Sequence, residues 1–140
     1  MFESKDWENG KAREADWWHH QVGLDFDLPF VARVMDAVEE LEDTGRLLEW
    51  EPPQALRYSP GQTFTPHVDT IEGYASRVWT AIVEVQAAPD AGFRLHEFPE
   101  VSITPGDLLI FDSSLVHEAV APSAGTRYVL VLWASLVEEE

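Results

Sequence analysis

Arg57-Tyr58-Ser59-Pro60-Gly61-Gln62-Thr63-Phe64-Thr65-Pro66-His67-Val68-Asp69 is the stretch whose reading decides this chain. Pro60 followed by Gly61 suits a type II turn over Ser59–Gln62, because proline presets the first central torsion and glycine accepts the positive second one. The turn delivers a candidate strand over Phe64–Asp69. Side chains alternate along a strand, so His67 and Asp69 are expected on one face. An imidazole and a carboxylate placed that way make two legs of a facial metal site. Alone, the pattern is weak, since two polar residues on a surface strand would look the same.

Outward from that stretch the texture is uniform. Short apolar or alternating runs separated by proline and glycine turns give candidate strands at Leu47–Trp50, Ala55–Tyr58, Phe64–Asp69, Arg77–Val85, Phe93–Glu97, Val101–Ile103, Asp107–Phe111, Val116–Ala121 and Arg127–Ser135. Many short strands with regular turns suggest a β-sandwich or a barrel-like jelly roll. Upstream, Asp27–Gly45 predicts one helix: Phe30, Val31, Val34, Val38 and Leu41 fall on a single stripe, Asp27 can cap it and Gly45 suits its end. Glu39, Glu40, Glu42 and Asp43 at its C-terminal end oppose the helix dipole and read as a solvated face. Met1–Gln21 is polar with Trp7, Trp17 and Trp18, an arm that can lie against the domain. The fold class is therefore α+β with a β-rich core and an N-terminal helix packed outside. The 140 residues form a single domain, with arm and helix over 1–47 and jelly-roll core over 48–137.

The third leg of the metal site must come from His19, His20, His96 or His117. His19 and His20 are adjacent and point apart in most local structures, which favours surface residues. His117 follows the turn Thr104-Pro105-Gly106-Asp107 and the apolar run Leu108–Phe111, and precedes Arg127 by ten residues. Arg127 opens the most apolar run, Tyr128-Val129-Leu130-Val131-Leu132-Trp133. A guanidinium there must be paired, because an isolated buried charge is very costly. Either a ligand carboxylate or one of the 26 Asp and Glu residues can answer it. Two histidines and one carboxylate with an open opposite face is the arrangement that suits non-haem Fe(II) oxygenases.

At this point the chain resembles the prolyl 4-hydroxylase-like branch of the Fe(II)/2-oxoglutarate-dependent dioxygenases. Arg57–Asp69 resembles their Y-x-x-G-x-x-[FY]-x-x-H-x-D strand. Arg77-Val78-Trp79-Thr80 resembles their R-x-x-T strand, and Gly92–Pro99 their G-x-x-x-F-P hairpin in degenerate form. Pro105–His117 with Gly125-Thr126-Arg127-Tyr128 and Trp133 resembles their closing segment. The resemblance implies a double-stranded β-helix, cupin-like, with Fe(II) held by His67, Asp69 and His117. It implies 2-oxoglutarate as co-substrate, its C5 carboxylate on Arg127 and Tyr58 against it, and ascorbate as a further candidate. It implies hydroxylation of a C–H bond with no catalytic side chain beyond the metal ligands. Asp69 favours hydroxylation, since related halogenases carry Gly or Ala there. Two departures stand out. Ala91 replaces the hairpin's usual second glycine, and Glu84 falls near a Tyr that assists the co-substrate carboxylate in related enzymes. Facing inward, Glu84 would repel that carboxylate.

Composition narrows the rest. There are no cysteines, which excludes disulfides, thiolate metal sites and cysteine nucleophiles. Nine Lys and Arg against 26 Asp and Glu give a formal charge of −17, which argues against nucleic acid and anionic membranes as partners. A cytoplasmic protein is expected, and its oligomeric state is not readable. The resemblance favours a prolyl or other residue in a peptide as substrate. The alternatives are a free amino acid or small metabolite, or a non-catalytic metal-binding jelly roll.

Overall fold

Arg127–Leu136 is buried on both faces through its middle, and the remaining elements are arranged around it. The computed structural model describes residues 2–8, 11–19, 29–42, 44–70 and 76–137, the first two segments by backbone pairing alone. In chain order the elements are β1 (Phe2–Glu8), β2 (Lys11–His19), α1 (Pro29–Leu41), β3 (Leu48–Trp50), β4 (Gln54–Tyr58), β5 (Phe64–His67), β6 (Arg77–Gln86), β7 (Gly92–Leu95), β8 (Leu108–Asp112), β9 (His117–Val120) and β10 (Arg127–Leu136).

From β4 onward the chain alternates between two antiparallel groups. One runs β4-β10-β6-β8, with β3 also on β10; the other runs β7-β9-β5. Each strand thus crosses to the opposite group, which is the winding of a double-stranded β-helix. The groups face each other across one interior. Leu56 and Tyr58 of β4, Ile82 of β6, Phe111 of β8 and Val129, Val131 and Trp133 of β10 meet Phe64, Phe93, Leu95 and Ala119 from the other side. The N-terminal arm supplies two strands that alternation did not reveal. β1 and β2 pair over their length, β2 joins β4 through Asp16–His19, and the single pair Arg13–Phe64 links it to β5.

The outer face of β10 carries the helix. Val31, Val34 and Val38 are buried against Ala81, Leu132 and Ala134, which explains why the β10 sequence is apolar without alternation. The helix is shorter than expected and ends at Leu41, where Glu42 N–H still donates to the Val38 carbonyl at 3.0 Å. Phe30 and Leu41 are exposed, so the buried stripe is narrower than the apolar pattern suggested. Asp27, expected to cap the helix, lies outside the described residues. Glu42 does not belong to a solvated face. It is buried and accepts from Thr44 Oγ1 at 2.6 Å, Trp79 Nε1 at 3.2 Å and the Arg46 guanidinium. These bonds, Arg46 foremost, hold its carboxyl down at about 2.

Both proline-glycine turns form as expected: Gly61 and Gly106 have φ of 82° and 92°, and Gln62 and Asp107 N–H donate to the Ser59 and Thr104 carbonyls. Val101–Ile103 is not a strand. Flanked by Pro99 and Pro105, it forms no ladder among the described residues, and its side chains pack on the edge of the interior.

Candidate metal centre and co-substrate cavity

His67 and His117 are direct cross-strand partners on β5 and β9. Regular alternation would not have put His67 inside: counting from buried Phe64, residue 67 falls on the outer face. The ladder is irregular between Phe64 and His67, where Pro66 interrupts it, and both ends of the four-residue strand point inward. The Phe64 ring then stacks on the His67 imidazole, with centroids 3.5 Å apart. Asp69 is not in a strand. It sits two residues past β5 in a bend, pinned by its N–H donating to the Ser113 carbonyl at 2.9 Å. The expected shared face of His67 and Asp69 is thus achieved by a bulge and a bend rather than by strand alternation.

The hydrogen bonds assign each ligand atom a role. His67 Nδ1 donates to the Thr65 carbonyl at 2.6 Å, and His117 Nδ1 to the Leu115 carbonyl at 2.9 Å. A carbonyl can only accept, so each Nδ1 carries a proton, and in the neutral ring this leaves Nε2 to present a lone pair. Asp69 Oδ2 accepts from Thr80 Oγ1 at 2.8 Å and from Trp133 Nε1 at 3.1 Å. With its proton spent there, Thr80 Oγ1 must accept from Ser113 Oγ, 2.9 Å away. Asp69 Oδ1 is left facing His67 Nε2 at 3.5 Å and His117 Nε2 at 3.4 Å. One donor atom from each of the three residues lies within 4.8 Å of the others, and all three residues are buried. Such a set of electron pairs needs positive charge between them, so the trio fits a divalent cation, with bracing of the kind that orients metal ligands. Burial pushes the Asp69 carboxyl up, but when Nε2 of His117 and His67 is protonated as well, their hydrogen bonds and charge outweigh it and hold the carboxyl far below the usual carboxylate range.

Of the other candidate histidines, His96 is on the surface, bonded to Glu118 at 2.9 Å, and the His19 side chain and His20 lie outside the described residues. Nothing local in the sequence marks Thr80, Ser113 and Trp133 as partners of Asp69. The R-x-x-T pattern was the available signal for Thr80.

The same cavity is lined by His67, Asp69, His117, Tyr58 and Arg127. Arg127 faces inward with Val129, Val131 and Trp133. The Ser123–Gly125 turn does not join a hairpin, because β9 and β10 belong to opposite groups and approach the cavity from facing sides. Arg127 is also already paired within the protein. Its Nε donates to both Glu84 oxygens at 3.1 Å and its Nη2 to Glu84 Oε1 at 2.8 Å. Glu84 therefore faces inward, 43 residues away in sequence and invisible to a local search for a counter-ion. Tyr58 stands opposite Arg127 in the β4–β10 register, its ring 5.7 Å from the guanidinium carbon.

A family model described as the 2OG-Fe(II) oxygenase superfamily matches residues 53–135, well over half of the sequence. The chain belongs to that superfamily. It is an Fe(II)- and 2-oxoglutarate-dependent dioxygenase on that ground, and the alternative of a non-catalytic jelly roll is not favoured. Among solved structures, this oxygenase is similar to a collagen prolyl hydroxylase of Paramecium Bursaria Chlorella virus-1 in complex with 2OG. The TM-score is 0.70 at 15% identity, covering 92% of this chain and 82% of that one. It is similar to a Pseudomonas putida prolyl-4-hydroxylase (TM-score 0.61, 15% identity, 96% and 78% covered). It is also similar to a Trichoplax adhaerens prolyl hydroxylase in complex with a hypoxia inducible factor peptide fragment (0.62, 19%, 88% and 63%). At such identities the likeness is one of fold. No curated protein matches the sequence. No helix among the described residues is long and apolar enough to cross a membrane.

Proposed function

We propose that this oxygenase hydroxylates a prolyl residue in a peptide, with iron held by His67, Asp69 and His117 and the far carboxylate of 2-oxoglutarate met by Arg127 beside Tyr58. The observation that carries the ligand assignment is the convergence of one donor atom from each of His67, Asp69 and His117 within 4.8 Å, with all three residues buried and His67 Nδ1, His117 Nδ1 and Asp69 Oδ2 held by other bonds. When bound, iron and 2-oxoglutarate supply the dioxygen-dependent oxidising chemistry that converts a C–H bond to an alcohol.

The residues of the chain position and shield. The Nδ1–H bonds keep both imidazoles in the tautomer a metal requires. Thr80 and Trp133 prevent the Asp69 carboxylate from rotating, and Phe64, Phe93 and Phe111 form an apolar wall around the imidazoles that excludes water. Arg127 holds a carboxylate through the edge of its guanidinium that Glu84 leaves. The prolyl substrate is supported by the prolyl hydroxylases among the structural neighbours, one of them solved with a peptide. The net charge of −17 would steer a Lys- or Arg-rich peptide toward the protein.

The test is turnover of 2-oxoglutarate to succinate by the Fe(II)-loaded protein with proline-containing peptides flanked by basic or by acidic residues, read by mass spectrometry. Proline oxidation by one oxygen atom, faster with basic flanks, is expected. Succinate formation uncoupled from every peptide but coupled to a free amino acid would overturn the peptide assignment.

A further inference from the structure

The guanidinium that the proposed function gives to the co-substrate is not an open positive charge. Glu84 takes its side-on edge, Nε and Nη2, and both side chains are sealed at 2% and 3% exposure. The Glu84 backbone is fixed as well. Its N–H donates to the Asp107 carbonyl at 3.1 Å and its carbonyl accepts from Gly106 N–H at 2.9 Å, while β6 holds it in register with Val129 of β10. Arg127 Nη1 makes no hydrogen bond to any described residue, and Arg127 lines the cavity, whereas Glu84 is not among the cavity's lining residues. A ligand in the cavity thus meets one edge of a guanidinium whose charge is already balanced from behind. Pulling Glu84 away to restore the charge would strand a buried carboxylate, which is more costly than leaving the pair intact.

We propose that Glu84 is the specificity-determining residue for the tail of the 2-oxo acid: by neutralising Arg127 it flattens the preference for a carboxylate tail over a neutral one. This rests on the co-substrate role proposed for Arg127. A carboxylate tail is attracted by the guanidinium and repelled by Glu84 a few ångströms further back, in an interior that screens neither well. A neutral tail feels little of either. Glu84 does not touch the co-substrate, so it acts through Arg127.

The experiment uses the full chain loaded with Zn(II) and two probes, 2-oxoglutarate and 2-oxopentanoate, which differ in the tail carboxylate. Affinities are read by calorimetry for the parent and for Glu84→Gln. Oε1 of a glutamine can still accept from both Nε and Nη2, as Glu84 Oε1 does. The parent should bind 2-oxoglutarate less than about ten-fold more tightly than 2-oxopentanoate. In Glu84→Gln, 2-oxoglutarate should bind about ten- to a hundred-fold more tightly than in the parent, with 2-oxopentanoate changed by less than about three-fold. The parent ratio is decisive without the variant, should the variant not fold. A parent preference of a hundred-fold or more, or a preference that Glu84→Gln leaves unchanged or reduces, overturns the inference while leaving the co-substrate role standing. Failure of both 2-oxo acids to bind a Zn(II)-loaded parent overturns both.

Discussion

Among the described residues two arginines are buried, and nearly everything local about them is the same. Arg77 and Arg127 each begin a ten-residue strand, are 4% and 2% exposed, each pair with one glutamate, and each lie over an aromatic ring, Trp133 at 4.2 Å and Tyr58 at 5.7 Å. The difference lies in the partner and in what is in front. Glu51, which takes Arg77 at 2.6 Å through both Nε and Nη2, is 28% exposed at its side chain. Glu84 is sealed. Arg77 reaches back to the Asp69 carbonyl at 3.4 Å, whereas Arg127 lines the cavity. Pairing therefore says nothing about function. Arg77 braces the Asp69 bend from outside, whereas Arg127 turns its second edge to the cavity, where the proposed function puts the co-substrate.

The comparison presupposes that the cavity in front of Arg127 is a metal site, and the largest effect tests that. His117→Ala should lower Zn(II) affinity by at least about a hundred-fold and bring succinate formation to background, since second-sphere losses alone cost 10–100-fold. Retained stoichiometric binding in equilibrium dialysis would show that the trio is not the site. Next is the sealed pair. Arg127→Ala leaves Glu84 buried without a partner and should cost about 3–5 kcal/mol in urea unfolding. The double change Arg127→Met with Glu84→Leu should recover most of that stability but not 2-oxoglutarate binding. A double variant as unstable as the single one would mean that packing, not charge, is at stake.

The same experiment on Arg77 sharpens the contrast. Arg77→Ala leaves Glu51 able to turn to water, so its cost should be nearer 1–2 kcal/mol, with metal affinity reduced rather than lost because only the Asp69 bend is loosened. A cost equal to that of Arg127 would erase the distinction drawn from partner exposure. The smallest effect concerns the more exposed ion pair, Glu42 with Arg46. The folded carboxyl, at about 2, lies below its ordinary 4.5, so its contribution is full above about pH 4.5 and is lost as pH falls toward 2. Glu42→Gln should flatten the pH dependence of stability within that window and leave it unchanged above pH 5, as followed by circular dichroism.

The three residues of the candidate metal site were legible because their types and order are unusual together, and the strands because alternation and proline-glycine turns mark them. What escaped has a common physical cause. The inward turn of His67 depends on a ladder irregularity at Pro66, and alternation cannot count through a bulge. Val101–Ile103 has strand composition but no neighbour to pair with. Glu84 is acidic at a position that reads as outward or repulsive until β6 and β10 are known to be adjacent. The sequence gives alternatives for Arg127, a ligand or a protein carboxylate, and the two are compatible, because a guanidinium has two edges.

The alternating path of the chain has a consequence for biosynthesis. β4, β6 and β3 have their shared partner in β10, which emerges from the ribosome after all of them. Until then those strands present unpaired backbone, and the inner and outer apolar faces that β10 separates have nothing between them. Pairings this distant in sequence form slowly and leave sticky intermediates. A nascent chain of this protein should therefore depend on chaperone protection until β10 is released, and a nonsense mutation anywhere before Arg127 should yield an aggregate rather than a weakened enzyme.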